Sequence, residues 1–157
     1  MINRIVTIER ASPERLEEAL EILTRAELPH DGVRENIAGF LVARNDSGKL
    51  VGCVGMERHG ELGLLRSAAV LPEFQGQRIG IKLVSELLKR AASEGVTEVA
   101  LLTTTAKDYF EKNFGFKEAS RTQYQERLQN SPEWNLPRCS SATFMVLKIE
   151  QNTVTIR

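Results

Sequence analysis

The chain has 157 residues, of which 41% are hydrophobic, and a formal net charge of +0. This length fits a single domain over residues 1–157, and the apolar content is enough for a core. Balanced charge argues against a nucleic-acid binder, which usually carries a basic excess. No apolar run approaches the roughly 20 residues that cross a bilayer, and the segment MINRIVTIER lacks a signal-peptide core. We therefore expect a cytoplasmic protein with no nucleic-acid or membrane partner.

The two cysteines, Cys53 and Cys139, form no CxxC pair and no Cys/His cluster. Neither a structural zinc site nor a disulfide framework is therefore expected, and no metal is predicted. Cys53 lies inside the apolar run VGCVGM and is interpreted as a core residue.

In chain order, the first half of the sequence alternates between strand and helix patterns. Ser12 and Pro13 are typical of a helix start, and apolar residues then recur at helical spacing. The predicted strands of this half contain Ile5, Val6 and Ile8, and then residues 40–44, 50–56 and 62–70; a short helix is predicted at 32–37. Turns at Asn45-Asp46-Ser47-Gly48 and His59-Gly60 make the last three strands antiparallel neighbours.

The second half contains one clear crossover. An amphipathic helix over 81–93 ends at Gly95 and is followed by a buried strand at 96–102, so this strand and strand 62–70 are expected to be parallel. A helix at 105–113, a strand opening at 115–116, an irregular segment at 122–140 and a closing strand at 143–149 complete the chain. In that segment, Tyr124 and Trp134 either line a pocket or cover the sheet edge. The fold class is α/β with a mixed, mostly antiparallel central sheet.

The segment VLPEFQGQRIGIKLV, residues 70–84, joins a strand to a helix through a glycine-containing loop. The first N–H groups of a helix have no intrahelical acceptor, and the helix dipole adds positive charge there. Such a loop suits a phosphate or pyrophosphate, but it also fits a plain strand-to-helix connection. The Walker pattern GxxxxGK[ST] and the dinucleotide fingerprint GxGxxG are both absent.

Residues 62–116 resemble the core of the GNAT acetyltransferase superfamily. The resemblance lies in Ala69-Val70-Leu71-Pro72-Glu73-Phe74, in the following Gln75-Gly76-Gln77-Arg78-Ile79-Gly80, and in Phe114-Gly115-Phe116. It implies helices on both faces of the sheet and acetyl-CoA as cosubstrate. Arg78 stands where the first motif glycine is usual; we expect a helical backbone there, which any L-residue tolerates.

A narrower resemblance covers residues 50–147 with gaps. The blocks LVGCVGMERHGELGLLRSAAV, LLTTTAKDYF and PRCSSATFM are similar to small arsenic-resistance N-acetyltransferases, and through them to the acetyltransferase domain of N-acetylglutamate synthases. This resemblance implies a small, amino-acid-like amine as acceptor and an association with arsenic resistance. A homodimer is common in the family, and the segment after residue 121 would supply its contacts.

The resemblance also implies where the cofactor lies. The pantetheine arm would run between strand 62–70 and strand 97–103, with the pyrophosphate on the loop and the Val70 N–H as oxyanion donor. The cofactor-binding residues are then Ala69, Val70, Gln75, Gly76, Gln77, Arg78, Ile79, Gly80 and Ile81.

Transfer to an amine also needs a base and an acid. Glu57, at the end of an apolar strand, is the candidate base; an exposed charge at a strand end is the alternative. Tyr109 is the candidate acid for the leaving thiolate, although it lies one position from the family's tyrosine, and water is the alternative.

Arg66 and Ser67 interrupt an otherwise apolar strand. A buried arginine needs a partner, and a guanidinium suits a substrate carboxylate. We therefore predict that Arg66 and Ser67 bind the acceptor; an internal ion pair with a Glu of a neighbouring strand is the alternative for Arg66.

Three functions remain open on the sequence. The first is an N-acetyltransferase that acts on a small amine in a ternary complex. The second is a CoA-binding sensor with little catalysis, and the third is a protein or peptide N-acetyltransferase. The sequence has no acidic cluster that would attract a basic peptide.

Overall fold

Seven strands and four helices make up the part of the chain that the structure describes. A computed structural model describes residues 6–149, apart from the side chain of Arg138. The strands are β1 (Thr7–Arg10), β2 (Phe40–Arg44), β3 (Leu50–His59), β4 (Leu62–Val70), β5 (Glu98–Thr103), β6 (Lys117–Glu118) and β7 (Thr143–Lys148). The helices are α1 (Leu16–Arg25), α2 (Ile79–Ser93), α3 (Lys107–Phe114) and α4 (Gln125–Leu128).

The strands follow the order β1-β2-β3-β4-β5-β7-β6 in one sheet. β1 with β2, β2 with β3, β5 with β7, and β6 with β7 are antiparallel pairs. Among the described strands, β4 and β5, which are joined through α2, form the one parallel pair. This confirms the predicted α/β class with a mostly antiparallel sheet and a single β-α-β crossover.

The described residues divide into two compact units. The first holds residues 6–57 and 65–87, and the second holds residues 58–64 and 88–149. In the first unit, the buried core is built on the inner face of α1 and on β2 and β3. It contains Ala11, Leu16, Ile22, Leu23, Val33, Phe40, Val42, Leu50, Cys53 and Leu71.

The second unit has its own core. It contains Leu62, Leu64, Ala100, Tyr124, Leu128, Trp134, Phe144 and Val146. The rings of Tyr124 and Trp134 each lie edge-on to Phe144, with centroids 5.2 Å away in both cases. These two aromatic residues therefore pack against β7.

Some boundaries differ from the predictions. The prediction of a helix at 32–37 was wrong: residues 31–36 form turns, and a 3-10 helix follows at Ile37–Gly39. Gly32 has φ +80°, a left-handed conformation that does not continue a right-handed helix. At the start of the chain, Ser12 precedes a 3-10 turn at Pro13–Arg15 before α1 begins, and Ile5 lies outside the described residues.

Other elements shift by a few residues. β3 continues beyond 56 to His59, β5 begins at Glu98 instead of 96, and β6 lies at Lys117–Glu118 instead of opening at 115. α3 begins at Lys107 instead of 105, since the Thr103 hydroxyl accepts a bond from the Ala106 N–H at 2.9 Å and forms a turn first.

Candidate functional site

The half-buried end of β4 is the first part of the candidate site. Residues 62–67 of this strand are buried, whereas residues 68–70 are half-buried. The Leu71 N–H donates to the Val51 carbonyl at 2.9 Å, so β3 still supports the strand where it ends. β3 also approaches closely: a Cβ added at Gly52 would lie 3.0 Å from the Ala69 carbonyl oxygen. The backbone of Ala69 and Val70 is thus held from the β3 side by tight packing.

The loop after β4 is the second part. A 3-10 turn at Pro72–Phe74 leads to Gly76, which has φ +84°, and α2 begins at Ile79. Ile79 is 3% exposed and anchors the helix start, while residues 75–78 are exposed. The Lys82 N–H donates to the Arg78 carbonyl at 3.1 Å, which begins the helical bonding. The N–H groups of residues 79–81 therefore precede the first helical hydrogen bond and suit an anion.

Arg78 differs from our expectation. A helical backbone was predicted at this position, but its φ is +64°, in the left-handed region. This conformation costs a non-glycine residue about 1–2 kcal/mol because Cβ approaches the following carbonyl oxygen. The steric rule explains why glycine is usual at this position. The loop thus accepts the side chain and keeps its left-handed turn.

A hydrogen bond and an ion pair connect the loop to its surroundings within the first unit. The side-chain amide of Gln75 donates to the Val70 carbonyl at 3.0 Å, so the loop is hydrogen-bonded to the end of β4. Glu73 forms an ion pair of 3.0 Å with Arg25 at the end of α1. A hydrogen bond from its own backbone N–H and one from Arg25 lower the pKa of Glu73. These contacts fix the first half of the loop, before Gly76.

A buried ion pair lies on β3 and β4. Arg66 Nη1 donates to Glu57 Oε2 at 2.8 Å, and the two side chains are 0% and 2% exposed. Arg66 Nε donates to Ser67 Oγ at 3.1 Å, and Nη2 donates to the Pro29 carbonyl at 3.4 Å. Of the two alternatives for Arg66, the ion pair with a Glu of a neighbouring strand is confirmed; direct acceptor binding by Arg66 and Ser67 stays a prediction.

Ser67 has an unusual backbone. Its φ is +62°, although it lies inside β4. Its carbonyl accepts a hydrogen bond from Cys53 Sγ at 3.4 Å. Cys53 is fully buried, as predicted for a core residue, and burial raises the pKa of its thiol to about 12. The sulfur is therefore a neutral donor at physiological pH and is poorly suited to be a nucleophile.

Tyr109, the candidate acid, lies in the second unit. It is half-buried on α3, and its ring lies edge-on to Phe110 and Phe114 with centroids 5.1 and 5.9 Å away. Its carbonyl accepts a hydrogen bond from the Asn113 side chain at 2.9 Å. The ring is thus held by aromatic contacts, and its catalytic role stays a prediction.

Sequence reasoning missed one participant and one contact. The Pro29 carbonyl was not predicted, and for Gln75, a predicted cofactor-binding residue, the hydrogen bond from its side chain to the Val70 carbonyl was not predicted. A proline carbonyl is invisible to motif analysis. The single arginine in an apolar strand was the signal that could have indicated the Pro29 contact, because a buried guanidinium needs hydrogen-bond acceptors nearby.

Residues 6–149 contain neither a metal-holding cluster nor a membrane-spanning helix. No group of three or more His, Cys, Asp or Glu side chains in residues 6–149 is arranged to hold a metal ion. Within the same range, every helix is too short or too polar to span a bilayer.

Comparison with known proteins decides the family. The family model described as "Acetyltransferase (GNAT) family" matches residues 3–116. The chain belongs to the GNAT acetyltransferase family. The matched range includes Glu57, Arg66, the end of β4, the loop and Tyr109.

A curated relative and two solved structures are also similar to the chain. An uncharacterized N-acetyltransferase of Chlorobaculum tepidum is 32% identical over 99 residues, and the match covers 62% of each chain. The N-acetylglutamate synthase of Neisseria gonorrhoeae, solved with coenzyme A and L-arginine, superposes with a TM-score of 0.76 at 20% identity, over 92% of this chain and 33% of that one. Rv2747 of Mycobacterium tuberculosis, solved with CoA and NLQ, has a TM-score of 0.74 at 22% identity, over 92% and 99%.

The chain spans less than two thirds of the curated relative and one third of the Neisseria enzyme. At 20% and 22% identity, the two structural matches show a shared fold. The fold assignment therefore rests on both solved structures, and the family assignment rests on the model that matches residues 3–116.

Proposed function

We propose that this protein is an N-acetyltransferase that transfers the acetyl group of acetyl-CoA to the amine of a small, amino-acid-like acceptor, by direct attack in a ternary complex. The observation that carries this proposal is the half-buried end of β4, followed at once by a left-handed loop and the start of α2, in a chain of the GNAT family. Residues 1–157 are proposed to act as a single domain.

The cofactor would use backbone groups of the first unit. The pantetheine arm would lie along Ala69 and Val70 and hydrogen-bond as an added strand does. The pyrophosphate would sit on the N–H groups of residues 75–81, where the helix dipole adds positive charge. The Val70 N–H would donate to the thioester oxygen as negative charge develops on it. Arg78 and Lys82 would add charge-assisted contacts to the phosphates.

The proton transfers are assigned to two side chains. The attacking amine must first lose a proton, and Glu57 is the proposed acceptor, reached through water. Among the described acidic residues of the first unit, Glu57 is the buried one, at 2% exposure. Tyr109 is the proposed donor to the thiolate that leaves when the thioester carbon–sulfur bond breaks. The nitrogen loses a second proton as the amide forms. One of the two protons replaces the one that Tyr109 gives to the thiolate, so each turnover of an ammonium releases one proton to solvent.

Two lines of support point to the acceptor class. The Neisseria enzyme with the same fold was solved with L-arginine, and its name assigns it to N-acetylglutamate synthesis. This chain has a net charge of +0 and no acidic cluster in its sequence, so it has little to attract a basic peptide. We therefore place a free amino acid or a similar small amine ahead of a peptide. The arsenic association stays an expectation of the resemblance.

A CoA-binding sensor with little catalysis is the second candidate. Arg78 in place of the motif glycine, with φ +64°, is the observation that favours it, because the loop departs from the family pattern at a strained position. A sensor of this kind would bind CoA tightly and release thiol slowly with every amine.

The partners and location follow the same proposal. We propose a cytoplasmic protein that forms a homodimer through the segment after residue 121 and acts on a small molecule. Size-exclusion chromatography with light scattering measures the oligomeric state, and a monomer at all concentrations would contradict the dimer.

The test is acetyl-CoA-dependent thiol release with a panel of free amino acids and simple amines. Turnover with an amine that bears a carboxylate supports the proposal, and Glu57→Gln should then lower the rate about a hundredfold if the residue is the base. Glu17→Gln, an exposed change on α1, is the matched control and should keep the wild-type rate. Tight CoA binding by calorimetry with no amine-dependent turnover would instead support the sensor.

A further inference from the structure

Arg66 connects three separate groups of the first unit. Its guanidinium donates to the Glu57 carboxylate on β3 at 2.8 Å, to the Ser67 hydroxyl at 3.1 Å and to the Pro29 carbonyl at 3.4 Å. The side chain is 0% exposed. The N–H groups of its planar guanidinium thus donate to three different protein acceptors.

Ser67, the residue next to it, marks a change in β4. Three non-glycine residues of the described chain, Glu27, Ser67 and Arg78, have a left-handed φ, and Ser67 is the one inside a strand. A left-handed residue interrupts the pleat and redirects the chain that follows. The burial of β4 changes at this point, since residues 62–67 are buried and residues 68–70 are half-buried. The conformation of Ser67 therefore determines the direction of the backbone N–H and carbonyl groups of Ala69 and Val70.

The contacts of Ser67 keep it in this conformation. Its hydroxyl accepts the hydrogen bond from Arg66 Nε, and its carbonyl accepts the one from Cys53 Sγ at 3.4 Å. Serine has no intrinsic preference for a left-handed backbone, in contrast to glycine. Because Glu57 fixes the guanidinium, the ion pair acts on the backbone of β4 through the Ser67 hydroxyl.

We propose that Arg66 is a positioning residue for acetyl transfer: it holds Ser67 in its left-handed conformation and so sets the direction of the Val70 N–H, and it does not bind the acceptor carboxylate. This inference rests on the proposed function, in which the Val70 N–H stabilises the developing oxyanion. It predicts that the loss of Arg66 acts on kcat more than on the KM of the acceptor.

The experiment combines Arg66→Lys with the pair Ser67→Gly and Ser67→Ala. Lysine keeps a charge for Glu57 but lacks the Nε donor that reaches Ser67. Both replacements remove the hydroxyl, but glycine adopts a positive φ without the Cβ penalty, whereas alanine keeps that penalty. We expect Arg66→Lys to lower kcat about tenfold with the acceptor KM changed less than about twofold. Adding Ser67→Gly to Arg66→Lys should restore kcat by about threefold or more, and adding Ser67→Ala should not.

The opposite pattern overturns the inference. If Arg66→Lys raises the acceptor KM and leaves kcat unchanged, and Ser67→Gly gives no rescue, Arg66 binds the acceptor. If Arg66→Lys does not fold, Ser67→Gly and Ser67→Ala in the otherwise wild-type protein test the inference, because neither change removes the buried ion pair. Ser67→Gly should then be faster than Ser67→Ala, and equal rates would contradict the positioning role.

A second readout separates this inference from the proposed function. If the wild-type protein turns over no amine, the proposed function fails. The NMR signals of the backbone amides of Ala69 and Val70 still report on the left-handed backbone at Ser67. They should move in Arg66→Lys and return toward their wild-type positions when Ser67→Gly is added. Signals that stay in place in Arg66→Lys would overturn the inference.

Discussion

Glu57 and Arg66 form a fully buried ion pair, with 2.8 Å between Oε2 and Nη1 and with at most 2% of either side chain exposed. Burying two charges costs desolvation energy that their attraction only offsets when the geometry is good. Removal of one partner leaves the other with that cost. We therefore expect Arg66→Met to lower the free energy of unfolding by about 3–5 kcal/mol in denaturant titrations.

The double variant is the control for this first prediction. Glu57→Leu combined with Arg66→Met replaces both charges by apolar groups and should recover most of the lost stability, since buried pairs are often no better than apolar substitutes. If the two losses simply add, the ion pair is not the coupled unit that the structure shows.

The second prediction concerns the left-handed backbone at Arg78. Arg78→Gly and Arg78→Ala both remove the charge, but only glycine removes the Cβ clash at φ +64°. The free energy of unfolding of the glycine variant should therefore be about 1 kcal/mol higher than that of the alanine variant. This difference already includes the greater unfolded-state entropy of glycine. Both variants should bind CoA more weakly than wild type at low salt. Equal stability of the two variants would show that the position carries no strain.

β4 and Arg78 show which structural features could be predicted from the sequence and which could not. β4 was predicted with its observed bounds, because an apolar run between the turn at His59-Gly60 and Pro72 leaves little choice of ends. The loop and α2 were placed from glycines and helical spacing, although α2 begins at Ile79, two residues before its predicted start. The backbone angle of Arg78 was predicted wrongly, since a single arginine in a motif does not reveal whether the chain adapts to it or keeps its left-handed turn.

Side-chain partners that lie far apart in the sequence were also only partly predictable. The sequence predicted that a buried Arg66 needs a partner and offered a Glu of a neighbouring strand as one alternative. Strand register decides which carboxylate that is, and register depends on packing over the whole sheet. The Pro29 carbonyl lies beyond any such prediction, since it belongs to the irregular segment after α1 and its hydrogen bond forms only in the folded chain.

The third prediction uses the close approach of β3 to the end of β4. A Cβ at Gly52 would lie 3.0 Å from the Ala69 carbonyl oxygen and 3.3 Å from Val70 Cγ2, so the strand end must shift by a few tenths of an ångström. Gly52→Ala should weaken acetyl-CoA binding about tenfold in calorimetry, because the pantetheine partners move. Gly55→Ala on the same strand is the control: its Cβ would meet the Phe40 ring, so it should reduce stability and leave CoA affinity closer to wild type.

The fourth prediction tests the proposed acid. Tyr109→Phe keeps the ring that lies edge-on to Phe110 and Phe114, so the variant should fold normally. Loss of the hydroxyl should lower kcat about a hundredfold while the KM for acetyl-CoA stays within about twofold of wild type. Unchanged turnover would mean that water protonates the thiolate.

The fifth prediction follows from the carboxylate of Glu98 in the second unit. Burial disfavours its charged form, but hydrogen bonds from the Tyr124 hydroxyl at 2.7 Å and from Arg127 at 2.9 Å outweigh burial and lower the pKa of Glu98. Because the folded-state pKa lies below the unfolded value of about 4.3, the stabilisation is present above that pH and is lost as pH falls through the folded-state value. Wild type should thus lose more stability on acidification than Glu98→Gln does.

The same pair has an alkaline counterpart. Burial and the bond to Glu98 raise the pKa of Tyr124 to about 12, above its unfolded value of about 10. The stabilisation is therefore complete below pH about 10 and is lost as the pH rises toward about 12. Thermal unfolding over both ranges should show a flatter acid profile in Glu98→Gln and a flatter alkaline profile in Tyr124→Phe. Glu17→Gln, whose ion pair with Arg34 is mostly exposed, should follow wild type. If all the variants share the wild-type slopes, this pair does not contribute to the pH dependence of folding.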